Sequence, residues 1–215
     1  MGSRHELPDG ARLRVMTISG GVTVIAEERG DLEVDPEVRR VKIEDGHVAE
    51  LKSKSKNFTV RCPIGTNVSV GSVSGSVNLE GSLGSIKVST ISSSVSIDTA
   101  SGDVDVRTVS GSIEVERCGG SCKLGSKSGS ISVGDVGGDV RASTISGSLD
   151  VETQGLGDVS LKGVSGQMTV HIPEDKRPRV RMKSLSGHMT CDCEQGADFE
   201  IKGRSISGSL HVTDA

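Results

Sequence analysis

Residues 84–155 read GSIKVSTIS SSVSIDTAS GDVDVRTVS GSIEVERCG GSCKLGSKS GSISVGDVG GDVRASTIS GSLDVETQG when the chain is divided into nines. Most of these units begin with glycine and carry apolar residues at the same three offsets, as Val104, Val106 and Val109 do in one unit. One unit is too short to bury its apolar side chains alone, whereas stacked units share a continuous core. The register therefore predicts an all-β solenoid.

Alternate nines differ, so the structural period is eighteen residues. One kind carries Thr or Ser, then x-Ser-Gly-Ser, as in Thr108–Ser112 and Thr144–Ser148, and the other carries Gly-Ser or Gly-Asp, as at Gly102-Asp103. Val104 and Val106 should share one side of a strand. Val109 follows at an odd step, which predicts a bend that returns it to the core. We expect a single-stranded parallel β-helix of about eleven coils and roughly 50 Å in length at the β-strand spacing.

The repeat pattern predicts a single solenoid domain over 11–215, after a flexible lead-in at 1–10. Its parts are irregular charged N-terminal coils and a cap (11–66), regular coils (67–165) and coils with loop insertions (166–215). In the charged segment 26–56, alternating apolar residues still indicate β-structure, and Pro36–Arg40 is the only expected helical turn.

Composition limits the classes of function. The 215 residues include 29 Gly and two Phe but no Trp or Tyr, and the net charge is −4. Interspersed charges and missing aromatic residues argue against a nucleic-acid partner. With no bilayer-length apolar run and no signal-like N-terminus, we expect a cytoplasmic protein. A surface or membrane-associated location is the alternative if a leader or anchor has been trimmed.

The five cysteines are expected to be free thiols that act as small core residues. Cys62, Cys118, Cys122 and Cys191 occupy apolar positions of the pattern. Cys191-Asp-Cys193 lacks the spacing of a zinc knuckle or a redox CxxC pair. No metal site is predicted there.

Candidate chemistry in the repeats is weak. Asp103, Asp139 and Asp158 share a corner position, but serine-bearing units intervene and a calcium ladder needs several oxygen ligands per ion. His171, His188 and His211 fall in the last coils at different repeat offsets, so stacking does not align them, and whether they converge stays open. We therefore assign no catalytic, cofactor-binding or metal-binding residue, and no cofactor.

The hydroxyl side chains are predicted to stack along the rod, where they satisfy backbone groups and one another. They should flank an inward column of Ile91, Val109 and Ile145 that Lys127 interrupts. An exposed array could instead organise water or ice. The hydroxyl residues are Thr90/Ser92, Thr108/Ser110, Ser126/Ser128 and Thr144/Ser146.

A family resemblance rests on two motifs. Val60–Thr66 (VRCPIGT) ends an opening strand, and Thr-[Val/Ile]-Ser-Gly-[Ser/Asp]-[Val/Ile]-x-Val recurs after it. From about Leu13 to Val212 the chain resembles the DUF4097 family of bacterial adhesin-like β-strand-repeat proteins. The resemblance implies a right-handed parallel β-helix and supplies no catalytic motif. A departure is Ser93, where a corner glycine is usual.

The function predicted from these features is that of a non-catalytic structural or interaction module. A solenoid exposes strand edges at its ends, and the chain stops directly after the strand residues Leu210–Val212. We therefore expect the C-terminal coil to bind another copy or a protein partner, with a membrane as a partner only if an anchor was removed. The alternatives are a β-helix carbohydrate-active enzyme, which should show a groove of carboxylates, and the water-organising hydroxyl ladder.

Overall fold

The computed structural model describes residues 3–6, 10–36, 41–44, 48–54 and 56–214. The regular secondary structure in these ranges consists entirely of β-strands. The predicted all-β class is confirmed. The N-terminal strands are β1 (Ser3–Glu6), β2 (Arg12–Thr17), β3 (Val22–Glu27), β4 (Asp31–Asp35), β5 (Val41–Glu44), β6 (Val48–Ser53) and β7 (Phe58–Pro63). Residues 37–40, in the expected helical turn, lie outside the described ranges.

The remaining strands follow the repeats closely. The central strands are β8 (Asn67–Ser74), β9 (Val77–Leu83), β10 (Ile86–Ser92), β11 (Val95–Ala100), β12 (Val104–Arg107), β13 (Ile113–Cys118), β14 (Cys122–Ser128), β15 (Ile131–Val136), β16 (Val140–Ser146) and β17 (Leu149–Glu152). The last strands are β18 (Val159–Ile172), β19 (Arg179–Ser186), β20 (Met189–Asp192) and β21 (Glu200–Asp214).

Parallel pairing stacks these strands into two ladders. The first ladder runs β6, β2, β8, β10, β12, β14, β16, the N-terminal half of β18, that of β21, and β19. The second runs β7, β3, β9, β11, β13, β15, β17, the C-terminal halves of β18 and β21, and β20.

The eighteen-residue step is visible in the register of the regular part. Ile86 lies opposite Val104, Val104 opposite Cys122, and Cys122 opposite Val140. Each coil contributes one strand to each ladder, so the architecture is solenoid-like. The right hand of the coil and the number of eleven coils stay predictions.

The core is a narrow layer of aliphatic side chains between the ladders. Inward residues of both ladders, such as Val106 and Leu124 from the first and Ile97 and Val115 from the second, belong to one buried cluster. Like residues stack on like at the strand spacing, so branched aliphatic side chains fill most of the interior, and Phe58 and Phe199 are its aromatic members. This agrees with the composition.

The expected inward column at the third offset is wrong. Ile91, Val109 and Ile145 are 49%, 40% and 50% exposed, while Thr108 and Thr144 are buried. The chain does not bend where the odd step predicted it, because β10, β14 and β16 continue through this point with their pleat intact. The alternation of a strand then turns the hydroxyl inward and the aliphatic neighbour outward.

The buried hydroxyls form a column inside the first ladder. Thr90 donates a hydrogen bond to the Thr108 hydroxyl at 3.0 Å, and Thr108 in turn donates to the carbonyl oxygen of Ser110 at 3.2 Å. Ser72 makes the same contact with the Ser74 carbonyl. With the threonines inside, the water-organising alternative loses its exposed threonine array.

The order of coils at both ends departs from the order of the chain. β2 lies between β6 and β8, and β21 lies between β18 on one side and β19 with β20 on the other. The expectation that the C-terminal strand is bare is therefore wrong. Strand β21 is paired along both edges because the chain runs to the end of the rod with β19 and β20 and then returns.

The two ends differ in how their edges are finished. At the N-terminal end, β5 pairs antiparallel with β6, β4 with β7, and β1 with β4. Part of the expected flexible lead-in is thus a strand. At the other end, within the described residues, no strand pairs with the outer edge of β19 or β20. The β19–β20 coil is the open end of the solenoid.

Candidate functional site

The corner aspartates are occupied by backbone contacts. Asp103 accepts the N–H of Ser121 at 2.9 Å, and Asp158 accepts that of Glu200 at 2.9 Å. Asp139 accepts the N–H of Asp158 at 3.1 Å. Each carboxylate therefore links the corner of one coil to the next. Over the ranges that the structure describes, no group of three or more His, Cys, Asp or Glu is placed to hold a metal ion.

The three C-terminal histidines do not converge. His171 lies beside Asp150, with Nε2 3.3 Å from Oδ1, whereas His211 lies opposite Thr169, two residues away in register. His188 is exposed at a corner. The open question about these residues is thus answered by the register, which places them in separate columns.

One hydroxyl–histidine–carboxylate contact does exist on the second ladder. Thr190 Oγ1 lies 2.5 Å from His211 Nδ1, and His211 Nε2 lies 3.7 Å from Asp192 Oδ2. All three side chains project outward from neighbouring parallel strands, β20 and β21. An outward strand surface supplies neither a substrate pocket nor converging N–H donors, which acyl transfer requires.

The cysteines divide into two groups. Cys191 and Cys193 are joined by a disulfide, which corrects the expectation of free thiols for this pair. Cys62, Cys118 and Cys122 are free and buried, as predicted. Burial raises the pKa of Cys62 to about 11. The hydrogen bond between Cys118 and Cys122 lowers the pKa of Cys118 and raises that of Cys122. The ionisation of each thiol therefore depends on the other.

The outward side of the first ladder is strongly basic. Its two outward columns contain cations in most coils, and their only acids among the described residues are Glu50 and Asp105. We call these columns the basic face. Its exposed cations are Arg14, Lys52, Lys87, Arg107, Lys123, Arg141, Lys162, Arg181, Lys183, Lys202 and Arg204.

Several of these cations lack an acidic partner. Among the described residues, no ion pair is formed by Lys87, Lys123, Lys162, Lys183 or Arg204. Arg14 likewise forms no ion pair with a described residue. Lys52 and Arg107 pair with Glu50 and Asp105 inside the columns. The remaining cations pair with acids at the margins, as Arg141 does with Asp139 at 3.0 Å. The face therefore carries an uncompensated positive charge.

The second ladder carries the opposite charge. Its outward acids outnumber its outward cations, and the main cations are Arg61 and Arg117. The chain is thus segregated by charge, although its acids and bases alternate along the sequence. The outward acids are Glu80, Asp98, Glu114, Glu116, Asp135, Asp150, Glu152 and Asp192.

A row of exposed aliphatic residues borders the basic face. In-register pairing aligns the outward third offset of successive coils into one line, which we call the aliphatic stripe. Lys127 interrupts it. In spatial order the stripe consists of Ile18, Val73, Ile91, Val109, Lys127, Ile145, Val164, Ile206 and Leu185.

Two shallow depressions lie on the basic face, and the first of them reaches the stripe. The first has a volume of about 380 Å³ and is bordered by Arg107, Lys127 and Lys162 together with Ile145 and Val164. The second, of about 360 Å³, shares Arg107 and Lys162 and adds Lys123 and Arg141. Both exist because small residues occupy the middle of the face. These are Gly125, Ser143 and, in the first depression, Gly163.

Sequence reasoning missed the basic face and the stripe. Charges interspersed along the sequence predict a mixed surface, and an aliphatic residue at the third offset predicts burial in the core. An alignment of the outward positions at eighteen-residue intervals is the signal that could have found the basic face, since Lys87, Asp105, Lys123 and Arg141 recur at that spacing.

The comparisons with known proteins agree with the fold. Residues 120–213 match the family described as Toastrack DUF4097, so the family resemblance is confirmed over that part of the chain. No curated protein matches the sequence. No helix among the described residues is long and apolar enough to span a membrane.

Two solved structures align with nearly the whole chain. A Bacteroides fragilis protein described as a "putative adhesin" is 15% identical, with a TM-score of 0.50 over 99% of this chain and 96% of that one. A Clostridium sporogenes "putative cell adhesion protein" is 10% identical, with a TM-score of 0.27 over 100% of this chain and 99% of that one. The first supports the fold.

Proposed function

We propose that this chain is a non-catalytic interaction module that self-associates through the β19–β20 coil. The observation that carries the proposal is the difference between the two ends. The N-terminal end finishes in the short antiparallel strands β1 and β5, of four residues each, and short edge strands discourage pairing. Strand β19 has eight residues and an open edge.

The open end also leaves apolar side chains incompletely covered. Val180 and Met182 occupy core columns but are only partly buried, because no further coil lies over them. Leu185 is 89% exposed and Met189 41% exposed. A second copy placed against this end would bury them and pair the free strand edge.

Since one end is open and the other is finished, we expect a closed dimer instead of a filament. Two identical open ends meet through a twofold axis, which makes an isologous and self-limiting contact. The main feature that favours an enzyme is the hydroxyl–histidine contact at Thr190, and it lies on an open strand surface.

Light scattering coupled to size exclusion, over a wide range of protein concentration, tests this proposal. We expect a concentration-dependent dimer that Met182→Lys abolishes, because a lysine at the open end charges the surface that must be buried. Lys183→Ala, one residue along and outward-facing, is the matched control and should dimerise normally. A monomer at every concentration, or species that grow beyond the dimer, would overturn the proposal.

A location at the cell surface accompanies this proposal. The expectation of a cytoplasmic protein finds no support in the comparisons, and the Bacteroides fragilis structure is described as a "putative adhesin". Protection or digestion of the chain when intact cells are treated with protease distinguishes the two locations.

A further inference from the structure

We propose that the basic face and the aliphatic stripe together form a docking surface for an anionic lipid bilayer. The surface lies along the side of the rod and reaches the β19–β20 coil only through its last members, Arg181, Lys183 and Leu185. Its two components run in parallel along the same ladder, so a flat partner can contact both at once.

The stripe is too continuous to be chance exposure of single residues. Leaving out Lys127, its members are between 39% and 55% exposed, apart from Leu185 at the open end. At the spacing of β-strands the row from Ile18 to Leu185 extends for about 40 Å. The other exposed large hydrophobic side chains among the described residues are Met16, Ile64, Leu156 and Met189. Of these, Met16 borders the stripe on the basic face, so most of the exposed apolar surface faces one way. Such a patch is typical of an interaction site.

The cations identify the kind of partner. Outward residues of the basic face lie two positions before the stripe in each strand, about 6.6 Å away along the chain. Arg107 and Val109 are one such pair, and Lys162 and Val164 another. Aliphatic side chains placed at the level of lipid headgroups can enter the interface while neighbouring lysines and arginines contact phosphates. The depression bordered by Arg107, Lys127 and Lys162 is open to a single headgroup.

Charge complementarity favours a bilayer over a second copy of the chain. Two stripes packed against each other would bring two basic faces together, and like charges repel. The acidic second ladder could attract the basic face, but the exposed large hydrophobic side chains among the described residues give it no matching aliphatic row. A soluble polyanion would use the cations and leave the stripe in water.

Co-sedimentation of the full chain with unilamellar vesicles tests the proposal. We expect binding to phosphatidylcholine vesicles that contain phosphatidylglycerol and little binding to phosphatidylcholine alone, with weaker binding as salt rises. The chain has a net charge of −4, so an unsegregated surface would be repelled by such vesicles. Absence of binding to the anionic vesicles overturns the proposal.

Variants on the two components separate their contributions. Lys123→Gln/Lys162→Gln/Arg204→Gln should weaken binding at least about tenfold. The control Lys56→Gln/Arg61→Gln/Arg117→Gln makes the same change of charge away from the basic face and should stay within about twofold, since surface potential falls off within a Debye length. Equal losses in both triple variants would show a nonspecific charge effect and overturn the proposal.

The stripe has its own test. Ile91→Ser/Val109→Ser/Ile145→Ser should weaken vesicle binding at least about fivefold, because less apolar area is removed from water. Ile64→Ser/Leu156→Ser is the control for exposed aliphatic residues elsewhere and should bind as the wild type does. Urea unfolding checks that each variant is folded, which is expected since the altered side chains are exposed.

A competing soluble polyanion distinguishes the remaining partner class. Heparin and a single-stranded oligonucleotide should bind more weakly than the anionic vesicles. If either binds as tightly as the vesicles, and the stripe variant binds vesicles like the wild type, the surface is a polyanion site and the bilayer proposal is wrong. Met182→Lys should bind vesicles normally, which keeps this result independent of dimer formation.

Discussion

The hydroxyl of Thr90 donates a hydrogen bond to that of Thr108, one coil away, at 3.0 Å inside the solenoid. Both residues are buried, in a column that also holds Ser126 and Thr144. In the same column the hydroxyl oxygens of Ser126 and Thr144 have no hydrogen-bond partner among the described residues. A threonine hydroxyl is thus hydrogen-bonded at position 108 and unpartnered at the equivalent position 144. Removing each hydroxyl in turn allows a matched comparison of stability.

Thr108→Val should lower the free energy of unfolding by about 1–3 kcal/mol, because the Thr90 hydroxyl loses its acceptor in a buried position. Thr144→Val should be neutral or stabilising, since it replaces a buried and unpartnered hydroxyl by a methyl group. Equilibrium unfolding in urea measures both. Equal losses in the two variants would contradict the assigned hydrogen bonding.

Gly129→Ala should destabilise the protein by at least about 2 kcal/mol, through backbone strain and a steric clash. Gly129 has a φ of +147°, and a Cβ there would lie 2.2 Å from the carbonyl oxygen of Gly111 in the neighbouring coil. Gly125→Ala is the control, since its Cβ would meet nothing nearer than Ser143 Oγ at 3.6 Å. Thermal unfolding followed by circular dichroism should separate the two variants clearly.

Asp158→Ala should cost about 1 kcal/mol, because the corner N–H of Glu200 loses its acceptor. Asp158→Asn keeps an oxygen at this position and should be nearly as stable as the wild type. Melting temperatures with calcium and with a chelator complete the test. A rise on addition of calcium that Asp158→Asn removes would contradict the structural role and indicate an ion site.

Stability should fall between about pH 9 and pH 11 because of Cys62. Burial raises the pKa of its thiol in the folded protein to about 11, from an ordinary value near 9.0. The stabilising contribution is therefore complete below pH 9 and is lost as the pH rises towards 11, since the unfolded chain ionises first. The loss amounts to roughly 2–3 kcal/mol. Urea midpoints against pH should decline less steeply in Cys62→Val; parallel profiles would refute the assignment.

The repeats made the fold predictable in its regular part. The step of eighteen residues and the inward positions of Val104 and Val106 follow from spacing alone, because a strand alternates its side chains and identical units stack in register. The third offset points inward in the nines of the second ladder, as Cys118 does, and the inward assignment is wrong in those of the first ladder. Val109 is apolar, and hydrophobicity favoured the core, but the pleat of the strand placed Thr108 there instead.

The candidate surface was less predictable than the fold. Lys123 and Lys162 belong to one face because of the columns in which stacking places them. These columns depend on insertions after β16, which lengthen the spacing between stacked residues from eighteen to nineteen and more. The basic face thus arises from stacking. Its cations are scattered in the sequence and collected in space.

The all-β class, the eighteen-residue coil and the aliphatic core could be predicted from the sequence, since these depend on local periodicity and on contacts between adjacent repeats. Which coil ends the rod became visible in the three-dimensional stacking. Strand β21 enters between β18 and β19, although β19 precedes it in the chain. Pairing of strand edges depends on which coils meet in space, and no periodicity of the sequence encodes that order. The same stacking decided which side of the rod is basic and which residues remain exposed beside it.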